Sequence, residues 1–264
     1  MSEPLLKIEG VSKHFGGFTA LNNVTTFVKP GERFGLIGPN GSGKTTMINC
    51  VSGLLRNEEG NIIFNGHDVT SQKPHQRTAA GIARSFQIPR PFHTMSVIEN
   101  LMIPSEFVPR PFHTMSVIEN LMIPSEFVGH HRGEKFDDRA DGMEILETMG
   151  MAEKADDPTT DLTQIELRKL ELARAMAAKP KLLISDEAMA GLTGQEVDEV
   201  IDILFKMNER GITIIMIEHI MRAVMRFSQR IICLDAGQLI AEGTPEEIVK
   251  NKDVERAYLG SDDG

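Results

Sequence analysis

Short, continuous apolar runs alternate along the chain with stretches whose apolar residues recur at helical spacing. "ERFGLIG" (32–38) is a short apolar run ending in glycine, while "KLLISDE" (181–187) and "GITIIMIEH" (211–219) are continuous apolar runs of the kind buried in a parallel sheet. The first is followed by a helical stretch, "TTMINCVSGLL". Between the other two, Val197, Val200, Ile201 and Leu204 recur on one helical face. Thr193 and Glu196 form a capping box at that helix start, and Gly211 stands where the helix should stop. "GNIIFNGHDV" reads as a strand with an Asn65-Gly66 turn, and "RIICLDAGQLIAEG" as two strands around a turn. Thr244, Pro245 and Glu247 open a last helix. The first thirty or so residues alternate in the manner of antiparallel strands. The expected class is α/β with a mostly parallel core sheet and an N-terminal antiparallel β subdomain. Residues 89–176 differ: stretches such as "DDRADGMEILETMG" are helical and no strong parallel strand occurs. They read as an inserted α-helical subdomain, with the core made of residues 1–88 and 177–264 of one domain.

Charge and composition narrow the function classes. The net charge is −10, and no Lys/Arg run offers a phosphate-backbone face, so nucleic acid is not an expected partner. Cys50 and Cys233 lie far apart in apolar surroundings and belong to no CxxC pair, which reads as two buried thiols in a reducing compartment. The N-terminus lacks a basic stretch followed by an apolar one, and no apolar run approaches the roughly 20 residues that span a bilayer. A cytosolic chain is expected, held at a membrane only through something else.

"GPNGSGKTT" (38–46) carries Gly38, Gly43, Lys44 and Thr45 in the pattern GxxxxGK[ST], between a strand and a helix. Its glycines let backbone N–H groups turn around phosphate oxygens. Lys44 reaches the β- and γ-phosphates, and Thr45 offers a hydroxyl to Mg²⁺. The helix N-terminus adds its positive dipole end. The run "LLISDE" ends in Asp186 and Glu187: one carboxylate to hold Mg²⁺, a second able to orient or deprotonate a water. His219 ends "ITIIMIEH", and Gln87 follows "IARSF". Gly38, Asp186 and His219 thus each follow the C-terminal end of an apolar strand, the edge where open α/β sheets bind ligands. For Gln87 two readings stand open at this point, a metal or water ligand and a loop-fixing residue.

Taken together, these residues resemble the ATP-binding subunits of ABC transporters, a P-loop NTPase fold, over about Leu5 to Gly260. The phosphate loop, Gln87, "LELARAMAAKPKLLISDE" and "IEHIMRAVMRFSQRIICLDAGQLIAEGTPEEI" stand in the family's order. "SKHFGGFTAL", "SFQIPRPF" and "TPEEIVKNKDVERAYLG" look like the ATPases of branched-chain amino acid importers. The resemblance implies ATP and Mg²⁺ as cofactors. Phe15 would stack on adenine, with Phe18 as the alternative. The loop Gly38, Pro39, Asn40, Gly41, Ser42, Gly43, Lys44, Thr45 and Thr46 would hold the phosphates. Mg²⁺ would sit at Thr45, Gln87 and Asp186, the Asp through water; Glu187 would be the catalytic carboxylate; His219 would contact the γ-phosphate. It further implies a second ATPase subunit, identical or related, transmembrane permease subunits, and indirectly an extracytoplasmic solute-binding protein. The place of work would be the inner face of the membrane. Amides, urea and other small polar solutes remain open as cargo; a soluble non-transport ATPase and a weakly active ATP-binding scaffold remain open as alternatives.

Three positions depart from the family. Where LSGGQ is usual, this chain has "LTQIE", Leu162 to Glu166. Thr163 keeps the hydroxyl that would face the partner subunit's ATP, but Gln164 and Ile165 replace two glycines. Thr163 and Glu166 form a capping box of their own, and Glu166 is expected to bring a negative charge toward that ATP. Ala188 stands where a proline commonly follows the catalytic Glu, and Thr193 stands at an acid position.

One feature belongs to no family pattern. "PRPFHTMSVIENLMIPSEFV" occupies residues 89–108 and recurs unchanged at 109–128. Solenoid repeats are degenerate and need about three or more units; two identical copies read instead as an in-frame duplication. One copy matches the family. "SVIENLMIPSEFV" makes a short amphipathic helix with Val97, Ile98 and Leu101 on one face and Pro104 as its stop. Two such helices compete for one groove, and the loser is expected as a surface loop.

Overall fold

The computed structural model describes residues 3–85, 116–118, 121, 138–157 and 159–259. They fall into two compact units, residues 1–73 with 213–264 and residues 74–212.

In the first unit, strands β1 (Leu6–Phe15) and β2 (Phe18–Val28) form a long antiparallel pair from Leu6↔Val28 to Phe15↔Phe18, with register shifts between Ile8 and His14. Val24, Thr26 and Val28 are buried while Thr25 and Phe27 are exposed, the alternation of a sheet with one covered face. β4 (Glu59–Phe64) and β5 (His67–Asp68) extend this sheet in the order β2-β1-β4-β5. Asn65 and Gly66 turn between them with φ of 50° and 78°, as the Asn-Gly pair predicts.

The same unit holds β3 (Arg33–Ile37), β8 (Thr213–Ile217), β9 (Arg230–Asp235) and β10 (Gln238–Gly243) in the order β10-β9-β3-β8. β3 runs parallel to both β8 and β9, with Phe34 opposite Ile215 and Arg230; β9 and β10 are an antiparallel hairpin. Ile214, Ile215, Met216, Ile217, Ile231, Ile232, Cys233 and Leu234 are all buried, which is why these stretches read as unbroken apolar runs. Helix α1 (Lys44–Ser52) follows the phosphate loop; α6 (Met221–Phe227), α7 (Pro245–Val249) and α8 (Lys252–Leu259) belong to the C-terminal part. Cys50 and Cys233 are buried free thiols, and burial pushes Cys233 up to about 11.

In the second unit, α2 (Pro74–Ala80) leads into β6 (Ile82–Ser85), which pairs in parallel with β7 (Leu182–Asp186). Its helices are α3 (Asp138–Met149), α4 (Gln164–Ala177) and α5 (Gly194–Glu209). Val197, Val200, Ile201 and Leu204 are the buried stripe of α5. The capping boxes at Thr163, Thr193 and Thr244 are all formed, both halves of each. Thr193 therefore serves as a helix cap at the position where the family has an acid.

The first copy of the repeat, with Val97, Ile98 and Leu101, lies outside the described residues. From the second copy, Val117, Ile118 and Leu121 are buried. The Val117 and Ile118 amides donate to the carbonyls of Asp157 (3.0 Å) and Ala155 (2.7 Å). Ile118 lies so close over Gly142 of α3 that a Cβ there would stand 2.7 Å from its Cδ1. These residues of the second copy thus pack against α3 and the 155–157 segment.

Candidate functional site

The loop after β3 is shaped by backbone constraints that only glycine meets. Gly38 has φ 147°, and a Cβ on it would come within 2.1 Å of the Leu234 carbonyl oxygen. Gly43, at φ 103°, would press a Cβ against the Ala20 carbonyl at 2.7 Å. The β9–β10 turn supports the loop from below: the Gly237 amide donates to the Ser42 carbonyl (3.0 Å), and the Gly237 carbonyl accepts from Asn22 (2.9 Å). Lys44 is buried, and its ammonium donates to the carbonyls of Gly38 (2.7 Å) and Pro39 (2.9 Å). Asn40, Gly41 and Thr45 are exposed, and Pro39 and Thr46 half-exposed. Ser42 Oγ is buried with no hydrogen-bond partner among the described residues. A folded-over lysine, an orphaned hydroxyl and open backbone at a helix start fit a phosphate group.

His219 follows β8 and is exposed. Since Leu36 pairs with Ile217, the phosphate loop and His219 leave neighbouring parallel strands at the same sheet edge, as the strand-end argument expects. Phe15 and Phe18 face each other across the β1–β2 turn and are 48% and 62% exposed, so either ring is open to stacking. Lys13 stands 5.2 Å from the Phe15 centroid.

In the second unit, Asp186 and Glu187 stand at the end of β7. Asp186 is buried, and its Oδ2 accepts from Arg84 Nη2 of β6 at 2.5 Å. Ser85 pairs with Ser185, so β6 and β7 also end at a common edge. Gln87, two residues further, lies outside the described residues. Glu187 is half-exposed with φ 49°, a left-handed conformation that costs a non-glycine residue about 1–3 kcal/mol and recurs at functional sites.

Thr163 is the N-cap of α4, and its hydroxyl both accepts from the Glu166 amide (3.4 Å) and donates to the Glu166 carboxylate (2.9 Å). Glu166 is also bonded to Lys154 at 2.7 Å. Burial would raise the Glu166 pKa, but the hydrogen bonds from Lys154 and Thr163 pull it down to about 2. The Glu166 carboxylate is paired with the Lys154 ammonium, which offsets its field. Gln164 lies over Gly191, where a Cβ would stand 2.8 Å from its amide nitrogen.

Residues 21–190 match the ABC transporter family model. The chain belongs to the ABC transporter ATP-binding family. Residues 238–264 also match the model of the branched-chain amino acid ATP-binding cassette transporters. Among curated relatives, the high-affinity branched-chain amino acid transport ATP-binding protein LivG of Escherichia coli K12 is 38% identical, the alignment covering 98% of this chain and 99% of that one. The probable LivG of Archaeoglobus fulgidus is 36% identical, over 98% and 96%, and BraF of Pseudomonas aeruginosa 33%, over 98% and 99%. Among solved structures, the ADP conformation of an ATP-binding cassette of an ABC transporter superposes with TM-score 0.83 at 26% identity, covering 98% of this chain and 100% of that one. The chain is an ATPase of the P-loop α/β class, and among its described residues no helix is long and apolar enough to cross a membrane.

Three residues of this ATPase were missed by sequence reasoning. Arg84, Lys154 and Tyr258 carry no motif signal of their own. Each acquires its role by touching a motif residue: Asp186, Glu166 and Gly38 respectively. The "IARSFQ" stretch could have pointed to Arg84, since a cation ending a strand beside an acidic strand end invites pairing. A cavity of about 520 Å³ lined by Lys29, Glu32, Arg230 and Glu247 includes none of the expected site residues. Its central cation is engaged, Arg230 bonding Glu32 (2.7 Å) and Glu242 (2.5 Å).

Proposed function

We propose that this ATPase is the ATP-hydrolysing subunit of an importer for branched-chain amino acids or a related small polar solute. The observation that carries the reading is the 38% identity to the E. coli branched-chain amino acid transport protein over nearly the full length of both chains. The family match at the C-terminus, residues 238–264, supports the same cargo class.

In this reading the backbone amides of Gly41 to Thr46 and the Lys44 ammonium hold the phosphates of ATP, and Phe15 stacks on the base. Lys44 exchanges its two loop carbonyls for phosphate oxygens, a charge-assisted contact stronger than the neutral ones it leaves. The Thr45 hydroxyl, Gln87 and, through water, Asp186 would hold Mg²⁺, which when bound would neutralise charge on the phosphoryl oxygens. Arg84 keeps the Asp186 carboxylate ordered. Glu187 accepts the proton of the attacking water at a carboxylate oxygen, and His219 orients that water against the γ-phosphate. A second ATPase subunit completes each site through Thr163, and permease subunits in the membrane receive the work, placing the chain at the inner face. Residues 89–176, the helical subdomain, are the part that meets them.

Glu187→Gln should bind ATP with unchanged affinity and lose turnover by at least about a hundredfold; Lys44→Ala should lose ATP binding. Steady-state phosphate release and calorimetry check both, and a Glu187→Gln chain that still turns over would sink the assignment of Glu187. Cargo is tested by uptake of labelled leucine into vesicles holding the chain with its permease subunits.

A further inference from the structure

The C-terminal helix reaches back to the first glycine of the phosphate loop. Tyr258 of α8 accepts a hydrogen bond from the Gly38 amide at 2.9 Å. The carbonyl of the same Gly38 accepts from Lys44 Nζ at 2.7 Å. The two peptide planes flanking the Gly38 Cα are thus held from opposite ends, one by the tail tyrosine and one by the phosphate-binding lysine. Gly38 sits at φ 147° with the Leu234 carbonyl beneath it, so it has little room to adjust when either partner moves.

The helix that carries Tyr258 is lightly held. Of Lys252–Leu259, Val254 is the buried residue, and Tyr258 lies one turn on, on the same face. Asn251 caps its start, its side-chain Oδ1 accepting from the Asp253 and Val254 amides at 2.9 and 3.2 Å. Leu259 is 74% exposed. An element with little buried apolar surface undocks at small cost, and what favours docking at one end is favoured in return at the other. Burial raises the Tyr258 pKa against the opposing Gly38 amide, so the hydroxyl is neutral at physiological pH.

We infer that Tyr258 is a positioning residue that latches the C-terminal helix to the phosphate loop through Gly38, so that nucleotide affinity and docking of the tail are coupled. This rests on the nucleotide-binding reading of the loop. Loss of the latch loosens Gly38, and with it the place Lys44 occupies when it turns to a phosphate. Nucleotide binding, by drawing on Lys44, alters the environment of Tyr258.

The chain has one tyrosine and no tryptophan, so tyrosine emission of the unaltered chain reports on this residue alone. Titration with ADP should change that emission saturably, with the dissociation constant that calorimetry gives. Tyr258→Phe keeps the ring and removes the hydroxyl. It should weaken ADP about two- to tenfold, the worth of one hydrogen bond, and raise KM for ATP by the same factor with kcat nearly unchanged. Its nucleotide-free melting temperature should stay close to that of the unaltered chain. A purely structural tyrosine would instead lower the melting temperature and leave ADP affinity alone. Equal ADP affinity of the Phe variant and the unaltered chain, or tyrosine emission that ignores ADP, overturns the latch and leaves the ATPase reading intact. Should the unaltered chain fail to bind ADP, or bind it no better than Lys44→Ala does, the nucleotide reading falls and the latch with it.

Discussion

At Glu166, a residue that looks unfavourable for a nucleotide site is made tolerable by its neighbours. Its carboxylate bonds the Thr163 amide and hydroxyl and the Lys154 ammonium. Its pKa, ordinarily near 4.5, lies near 2 in the folded chain. Because the folded value is depressed, its contribution to stability is fully present above about pH 4.5 and is lost as pH falls toward 2. Glu166→Gln should therefore be less stable than the unaltered chain at pH 6, and the two melting temperatures should converge as pH falls through that window. Melting curves at several pH values check this; a gap that stays constant from pH 6 to 3 would mean the carboxylate charge is not what stabilises the cap. The same contacts occupy the Thr163 hydroxyl, so in this chain a partner's phosphate would compete with an internal acceptor.

At the scale of the element, the repeat becomes a question of which copy fills a groove. Val117, Ile118 and Leu121 are buried there, the Val117 and Ile118 amides donating to the carbonyls of Asp157 and Ala155. Val97, Ile98 and Leu101 are the same residues in the same order, so the same groove should accept either set. Ile118→Asp buries a charge among apolar neighbours. In a chain lacking residues 89–108 it should cost about 3 kcal/mol or more. In the chain as it stands the cost should fall below about 1 kcal/mol, because the intact copy can take the place of the damaged one at the modest cost of a rearranged loop. Urea unfolding of the two pairs checks it. Equal losses in both backgrounds would show that the copies are not interchangeable.

For the whole molecule, the proposed activity requires two chains, and Glu187→Gln should hold them together by preventing hydrolysis. Size exclusion of that variant with ATP should show a dimer, and without ATP a monomer. The same experiment on a chain lacking residues 109–128 separates two outcomes. Dimerisation of both means the duplication leaves the ATP-dependent interface alone; dimerisation of the shortened chain only means that the additional segment obstructs it.

Much of this protein follows from its sequence because the relevant physics is local. Unbroken apolar runs mark strands buried on both faces, and three Thr-x-x-Glu signals mark three helix starts, all three of which form. GxxxxGK[ST] names the phosphate loop because its glycines and lysine act within nine residues of one another. Tertiary structure alone decided what touches that machinery from afar. Arg84 meets Asp186 across 102 positions, Tyr258 meets Gly38 across 220, and the β9–β10 turn underpins Ser42. None of these pairings leaves a periodic or spaced trace, since each depends on which strand edges the fold brings side by side. That residues of the second copy pack on Gly142 and bond to Ala155 and Asp157 is likewise invisible in the letters, since the two copies are identical and only their tertiary surroundings distinguish them.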